Sequence, residues 1–390
     1  MQLYFDNAAT SFPKPHCVVD AMVAYQKECG ASPGRGEYAQ AIEATDVLDR
    51  CRYSLCKLVS ATSESHCIFT LNCTDALNLA INGIAAHYRN EQVHVVTTAM
   101  DHNSVLRPLH ALAMYGATHS IVHACPKTGL VNPSDIASAI KPTTKLVCVA
   151  HGSNVTGTVQ DIAAIGQVCL DVPLLVDAAQ TMGHTDIDVQ AMNIALLAFP
   201  GHKGLLGPLG TGGLIIQDGM EKVLEPHRFG GTGSASEFPV QPTDLPDKYE
   251  SGSHNMIGIK GLAASVEWIL SKGVQSLHEQ EMNLCRLFID LLHNIAGVKI
   301  VGPPSNENRC GVFSLNFEER PAVIAKRLEE VSGIKCRAGL HCAPLAHETM
   351  GTNKCGGTVR VSFGAFHTSE DIHHLVDAIE QCLKPAMIAR

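Results

Sequence analysis

Short apolar runs and longer amphipathic stretches alternate through the middle of the chain. EQVHVVTTAM, TKLVCVAHG, PLLVDAAQ and IALLAFPG are rich in Val, Ile and Leu and read as short strands. Between them, SVLRPLHALAMYGA and VQDIAAIGQVCLD carry apolar residues at helical spacing. The alternation predicts βαβ units around a mostly parallel sheet, covered by helices on both faces. After EFPVQPTDLPDKYESGSHN, a proline-rich stretch that reads as a loop or boundary, the texture changes. The helical pattern MIGIKGLAASVEWILSKG comes next, then the strands VKIVGP, CGVFSLNF and GTVRVSFG. The expected organisation is an N-terminal segment over 1–15 that packs with either domain, a large α/β domain over 16–255, and a smaller α+β domain over 256–390.

In parallel sheets, ligands collect at the carboxyl ends of strands. Four polar signatures stand at such ends: DHNS at 101–104, HGSN at 151–154, DAAQ at 177–180 and GHK at 201–203. Lys203 follows an apolar run in a glycine-rich turn. Once desolvated, an amine there can form a Schiff base; the same pattern also suits a surface lysine. Asp177 can pair with a protonated pyridine nitrogen, or simply cap a helix. In NCTDALNLAI, Cys73 and Thr74 open a helix whose free N–H groups suit a phosphate, although ordinary helices start this way too. P-loop and nucleophile-elbow motifs are both missing.

Composition narrows the classes. The 390 residues suffice for two domains and a sizeable core, and 45% are hydrophobic against 17% charged. A net charge of −9 argues against nucleic acid as a partner. The opening MQLYFDNAATSFPKP lacks the basic and apolar regions of a signal peptide. No segment reaches the roughly 18 consecutive apolar residues that a membrane helix needs. The 15 cysteines are an odd number, with no C-x-x-C spacing. They fit a reducing cytoplasm, mostly free thiols and no metal site. Ligand-type residues do cluster at His341, Cys342 and His347, which keeps a metal-binding regulatory protein as the rival outside enzymes.

Taken together, the motifs resemble those of class V, fold-type I pyridoxal-phosphate enzymes, and within that superfamily the cysteine desulfurases. The resemblance runs from YFDNAATSFPKP through SPGRGEY, NCTDALN, DHNSVLRP, SNVTGT, VDAAQ, GHKG and YESGSHN to RAGLHCAPLAH and VRVSFGAFHT. It implies a pyridoxal 5'-phosphate cofactor held between Asp177 and Lys203. Lys203 would carry it covalently, Asp177 would pair with its ring nitrogen, and Gln180 would meet its phenolic oxygen. His102 would stack on the ring and move protons, and Asn154 would touch ring and substrate. Cys73, Thr74 and His202 would bind the phosphate. Ser253 would reach the phosphate of a second subunit, which implies a homodimer. Arg360 would clamp the substrate carboxylate, with Arg35 and Arg337 as further candidates. Family members often carry Ser where this chain has Pro200, and the missing hydroxyl could come from around Thr232.

Cys342, in RAGLHCAPL, matches the catalytic thiol of the family, and its short loop matches the short-loop branch, which often works with a sulfur-accepting protein. The implied reaction is transfer of sulfur from L-cysteine to Cys342 as a persulfide, with release of L-alanine. The alternatives are a selenocysteine lyase acting on L-selenocysteine, and another class V reaction (transamination or epimerisation) with Cys342 a bystander.

Overall fold

Seven strands build the larger sheet: β1 (Cys67–Thr70), β2 (His94–Thr98), β3 (Thr118–Val122), β4 (Thr144–Ala150), β5 (Leu174–Asp177), β6 (Leu196–Pro200) and β7 (Gly212–Ile216). The computed structural model describes residues 3–34, 36–234 and 237–384. The strand order is β1-β7-β6-β5-β4-β2-β3. From β6 to β3 every pairing is parallel, while β7 runs antiparallel to both β6 and β1. The central strands β2, β5, β6 and β7 are buried at every residue; β5 and β6 are accordingly apolar nearly throughout, while β2 buries His94, Thr97 and Thr98. One apolar cluster covers each face of the sheet.

The register places the functional strand ends side by side. Ala150 of β4 pairs with Asp177 of β5, and Asp177 pairs with Ala198 of β6. Asp101 staples the end of β2 to that of β4: its buried carboxylate accepts from Thr97 Oγ1 (2.7 Å), Thr98 N (2.6 Å) and Ala150 N (2.7 Å). Burial raises this carboxyl to about 6, against the pull of those donors.

The smaller sheet has the order β10-β11-β9-β8, with β8 (Val298–Val301), β9 (Val312–Phe317), β10 (Arg337–Gly339) and β11 (Thr358–Ser362), all antiparallel. Its core gathers Phe288, Phe313 and Phe363, joined by Phe5 from the N-terminal segment. The packing changes later in the chain than the texture does. The helix Met256–Lys272 lies against the helices His16–Ala24 and Ala39–Leu58, and it buries Ile259, Leu262, Val266 and Ile269 in the larger body. The next helix, Val274–Leu292, turns Leu284, Cys285 and Phe288 into the smaller core. Gly273, at φ 82°, lies between the two helices. The N-terminal segment touches both bodies. Tyr4 and Asp6 bridge to Lys335 and Ser362, while Thr10, Ser11 and Lys14 all donate to the carbonyl of His202. Among the described residues, no helix is long and apolar enough to cross a membrane.

Candidate active site

A cleft of about 550 Å³ opens over the strand ends, lined by Cys73, Thr74, His102, Asn154, Asp177, Gln180, His202 and Lys203. Eight of the expected residues therefore meet from five separate stretches of chain. Lys203 follows β6 between two tightly packed glycines. A Cβ at 201 would collide with Thr211, and one at 204 with the carbonyl of Met182. Desolvation lowers the Lys203 pKa, and Asp177 opposes that shift only in part. Asp177 is buried, and its Oδ1 accepts from Ala179 N at 2.9 Å and from Cys73 Sγ at 3.4 Å. Burial, then the Asp177 charge, holds the Cys73 thiol far above its ordinary pKa, so it donates as a neutral group. Cys73 and Thr74 form the first turn of the helix Cys73–His87, whose N-terminus thereby lines the cleft.

His102 Nδ1 accepts from the backbone N–H of Ser104 at 3.1 Å, so the neutral ring carries its proton on Nε2. Burial lowers its pKa and favours that neutral form. Ser104 Oγ joins the His102 ring (2.9 Å) to Thr74 Oγ1 (2.8 Å). Gln180 Nε2 donates to Ala8 O at 3.1 Å, tying the N-terminal segment to the cleft. His202 Nδ1 is buried with no hydrogen-bond partner, and its pKa falls to about 4 through burial and then the charge of Lys203.

The smaller domain closes one side. Arg337 and Arg360 are direct cross-strand partners on β10 and β11, an arrangement that repels unless an anion intervenes. Asp6 supplies it: Oδ1 accepts from Arg360 Nη2 at 2.8 Å, and Oδ2 lies 3.1 Å from Arg337 Nη2. Arg360 is buried and Arg337 half exposed. Arg360 Nη1 also donates to Asn154 O at 3.2 Å, while its Nε has no partner.

Cys342 is exposed on the loop after β10. Both His341 (φ 49°) and Cys342 (φ 58°) adopt the left-handed conformation that side chains disfavour. Two bonds from the larger domain hold this loop down. Asn154 Nδ2 donates to His341 O at 2.6 Å, and Asn103 N donates to Cys342 O at 2.8 Å. The thiol loop is thus docked on the ends of β2 and β4, next to His102.

Two expected residues lie elsewhere. Ser253 sits in a separate cleft with Phe69, Thr70, Arg228 and Glu250. Thr232 bonds to Ser234 in yet another groove, so it replaces no hydroxyl beside Pro200 within its own chain. Arg35 lies outside the described residues. Conversely, the contacts of Asp6, Asn103 and Ser104 emerge only here. Asp6 stands within a motif already singled out, but no local signal ties it to Arg360. Among the described residues, no three His, Cys, Asp or Glu side chains gather in a way that could hold a metal ion.

Comparison with known proteins adds the following. The family model for aminotransferase class-V matches residues 3–375. A probable cysteine desulfurase of Methanothermobacter thermautotrophicus is 36% identical over 384 residues, covering 97% of this chain and 94% of the relative. A cysteine desulfurase of Yersinia pseudotuberculosis is 30% identical over 389 residues, covering 98% and 93%. Among solved structures, the apo cysteine desulfurase of Thermococcus onnurineus superposes with a TM-score of 0.90 at 31% identity, covering 97% of this chain and 94% of that one. An S-sulfonic acid form of a cysteine desulfurase from Escherichia coli superposes at 0.85 with 26% identity, covering 98% and 94%.

Proposed function

The chain belongs to the aminotransferase class-V family, and on that footing we propose that it is a cysteine desulfurase whose sulfur acceptor is Cys342. One observation carries the reading: an exposed thiol sits on a loop pinned by Asn103 and Asn154, and Asn154 itself lines a cleft that holds a desolvated lysine and a buried aspartate.

The cleft fits pyridoxal 5'-phosphate. His202 Nδ1 is a buried polar atom still lacking a partner, and the helix start at Cys73 and Thr74 suits a phosphate. Asp177 would hold the pyridine nitrogen protonated, and Lys203 would carry the cofactor. When bound, the cofactor supplies an electron sink for the bonds at the substrate α-carbon.

The protein groups divide the remaining work. Desolvation favours the neutral amine of Lys203, which is the form that can take a proton from the α-carbon. His102 offers a proton from Nε2, because Ser104 already occupies Nδ1. Arg360, with Arg337 beside it, would orient the substrate through its carboxylate. Cys342 would take the sulfur of L-cysteine: an S–S bond forms, the C–S bond breaks, and the three-carbon remainder leaves as L-alanine. Exposure of Cys342 then lets an acceptor thiol collect the sulfur. Ser253, in its separate cleft, fits a contribution to a second subunit, so the working unit is read as a homodimer.

The test is Cys342→Ala. The variant should still change its visible absorption when L-cysteine is added, yet release almost no L-alanine. Mass spectrometry of the wild type after one turnover should show one added sulfur on the Cys342 peptide. Undiminished alanine release by the variant would overturn the assignment.

A further inference from the structure

Glu250 and Arg52 form an ion pair away from the lysine cleft, with side chains only 2% and 6% exposed. Glu250 Oε1 accepts from Arg52 Nη1 at 2.9 Å and from Phe69 N at 2.5 Å, and Oε2 accepts from Arg52 Nη2 at 2.6 Å. Arg52 also donates to Cys67 O and lies over the Phe69 ring, 4.4 Å from its centroid. One carboxylate thus ties the helix Ala39–Leu58 to β1 and to the segment that follows residue 250. A buried pair of this kind contributes little net stability, since desolvation offsets the attraction. Stability alone therefore does not account for it.

What the pair fixes is the setting of 251–255. His254 Nε2 lies 3.3 Å from Glu250 Oε2, Gly252 N donates to Gly231 O at 2.8 Å, and Asn255 Nδ2 donates to Gly210 O at 3.0 Å. Between these anchors Ser253 is exposed, and its hydroxyl bonds to no described residue of its own chain. The surface around it is apolar. Leu71, large and exposed, lines the same cleft, and the exposed Leu209, Phe229 and Ile257 stand within two residues of others that line it. Such a patch suits cover by another protein surface.

We propose that Glu250 is a positioning residue for the cofactor site of a second copy of this chain: clamped by Arg52, it holds Ser253 where its hydroxyl reaches the phosphate bound by the other subunit, a role that rests on reading Ser253 as a contribution to that subunit. Within its own chain Ser253 lines a different cleft from Lys203. The effect of Glu250 on cofactor binding must therefore cross from one subunit to the other and act through Ser253.

The experiment titrates the full chain, freed of cofactor, with pyridoxal 5'-phosphate and follows the visible absorption that appears on attachment to Lys203. Glu250→Gln should bind it about fivefold more weakly, as Ser253→Ala does, the worth of one hydrogen bond. Combining the two should weaken it no further, because a residue that acts through Ser253 has nothing left to position. Arg52→Met with Glu250→Leu, which leaves neither charge unpaired, should match Glu250→Gln and carries the test if that variant fails to fold. Mixed dimers, purified through two different tags, then pair one variant subunit with one Lys203→Ala subunit. Their only attachable lysine belongs to the variant subunit, and the Ser253 that serves it belongs to the intact one, so affinity should return to the wild-type value. Unchanged affinity in the Glu250 variants, or weak binding that persists in their mixed dimers, overturns the role of Glu250. If Ser253→Ala itself has no effect, or is not rescued in its own mixed dimer, the shared-site reading fails instead.

Discussion

Replacing Asn154 with alanine removes one of the two hydrogen bonds that hold the Cys342 loop against the larger domain. The bond is short, 2.6 Å, and its acceptor belongs to a buried residue, His341. Stranding a buried carbonyl costs about 1–3 kcal/mol. The loop also stores strain, because His341 and Cys342 both occupy the left-handed region, at roughly 1–2 kcal/mol each. Docking therefore depends on its anchors, and losing one should shift the docked equilibrium by about 2 kcal/mol, a ~30-fold rise in the open fraction. Two backbone amides report on it directly. Asn103 N is protected by Cys342 O, and Ala343 N by Leu340 O. Hydrogen exchange at both should accelerate ~30-fold in Asn154→Ala, while the amide of Ala150, held by Asp101, stays slow. Asn154→Asp, which keeps the shape but lacks the donor, should behave alike. The resting protein is measured, so no role of Asn154 toward substrate enters. If exchange at Asn103 and Ala343 stays within twofold of wild type, the loop is held by something other than this bond.

Borohydride treatment of the protein loaded with pyridoxal 5'-phosphate should fix one cofactor to the peptide containing Lys203; labelling of another lysine would contradict its role. Sedimentation should give a mass near twice 41.7 kDa, and Ser253→Ala should weaken cofactor affinity about fivefold, the worth of one hydrogen bond; a fully active monomer would refute the shared site. Stability should fall as pH drops from 7.5 to 5.5. Burial pushes His151 and His347 down to about 4, and burial followed by Arg360 takes His341 to about 2, so all three stay neutral when folded. Unfolded histidines titrate near 6.5 and bind protons in that window, costing ~1.3 kcal/mol each at pH 5.5. His184 and Asp101 oppose this: burial lowers the His184 pKa but the Glu281 ion pair more than reverses it, and burial raises the Asp101 carboxyl to about 6, so the contribution of each is present at low pH and lost as pH rises. Urea midpoints at the two pH values check the balance, and an unchanged midpoint would mean that these histidines are not held neutral.

Much of the larger domain is legible in the chain. Strands buried on both faces are rich in Val, Ile and Leu, so β2, β4, β5 and β6 announce themselves in the sequence, and helical spacing marks what lies between them. A polar residue directly after such a run stands at a strand end by necessity, which brings out Asp177, Lys203, His102 and Asn154. The exchange of cores at Gly273 is not legible. Two consecutive amphipathic helices, Met256–Lys272 and Val274–Leu292, look alike in pattern, and an apolar stripe does not say which core it will join.

The sequence by itself determined the element types, the strand-end chemistry and the thiol in its short loop, because periodicity and local motifs act within a few residues of themselves. Only the tertiary structure decided that Asp6 meets Arg360 across 354 positions, that Asn154 joins Arg360 to the Cys342 loop, and that Ser253 lines a different cleft from Lys203. Those meetings depend on sheet order and on how two domains dock. Both follow from burying apolar area and pairing charges across the whole molecule, and no local stretch of residues encodes them.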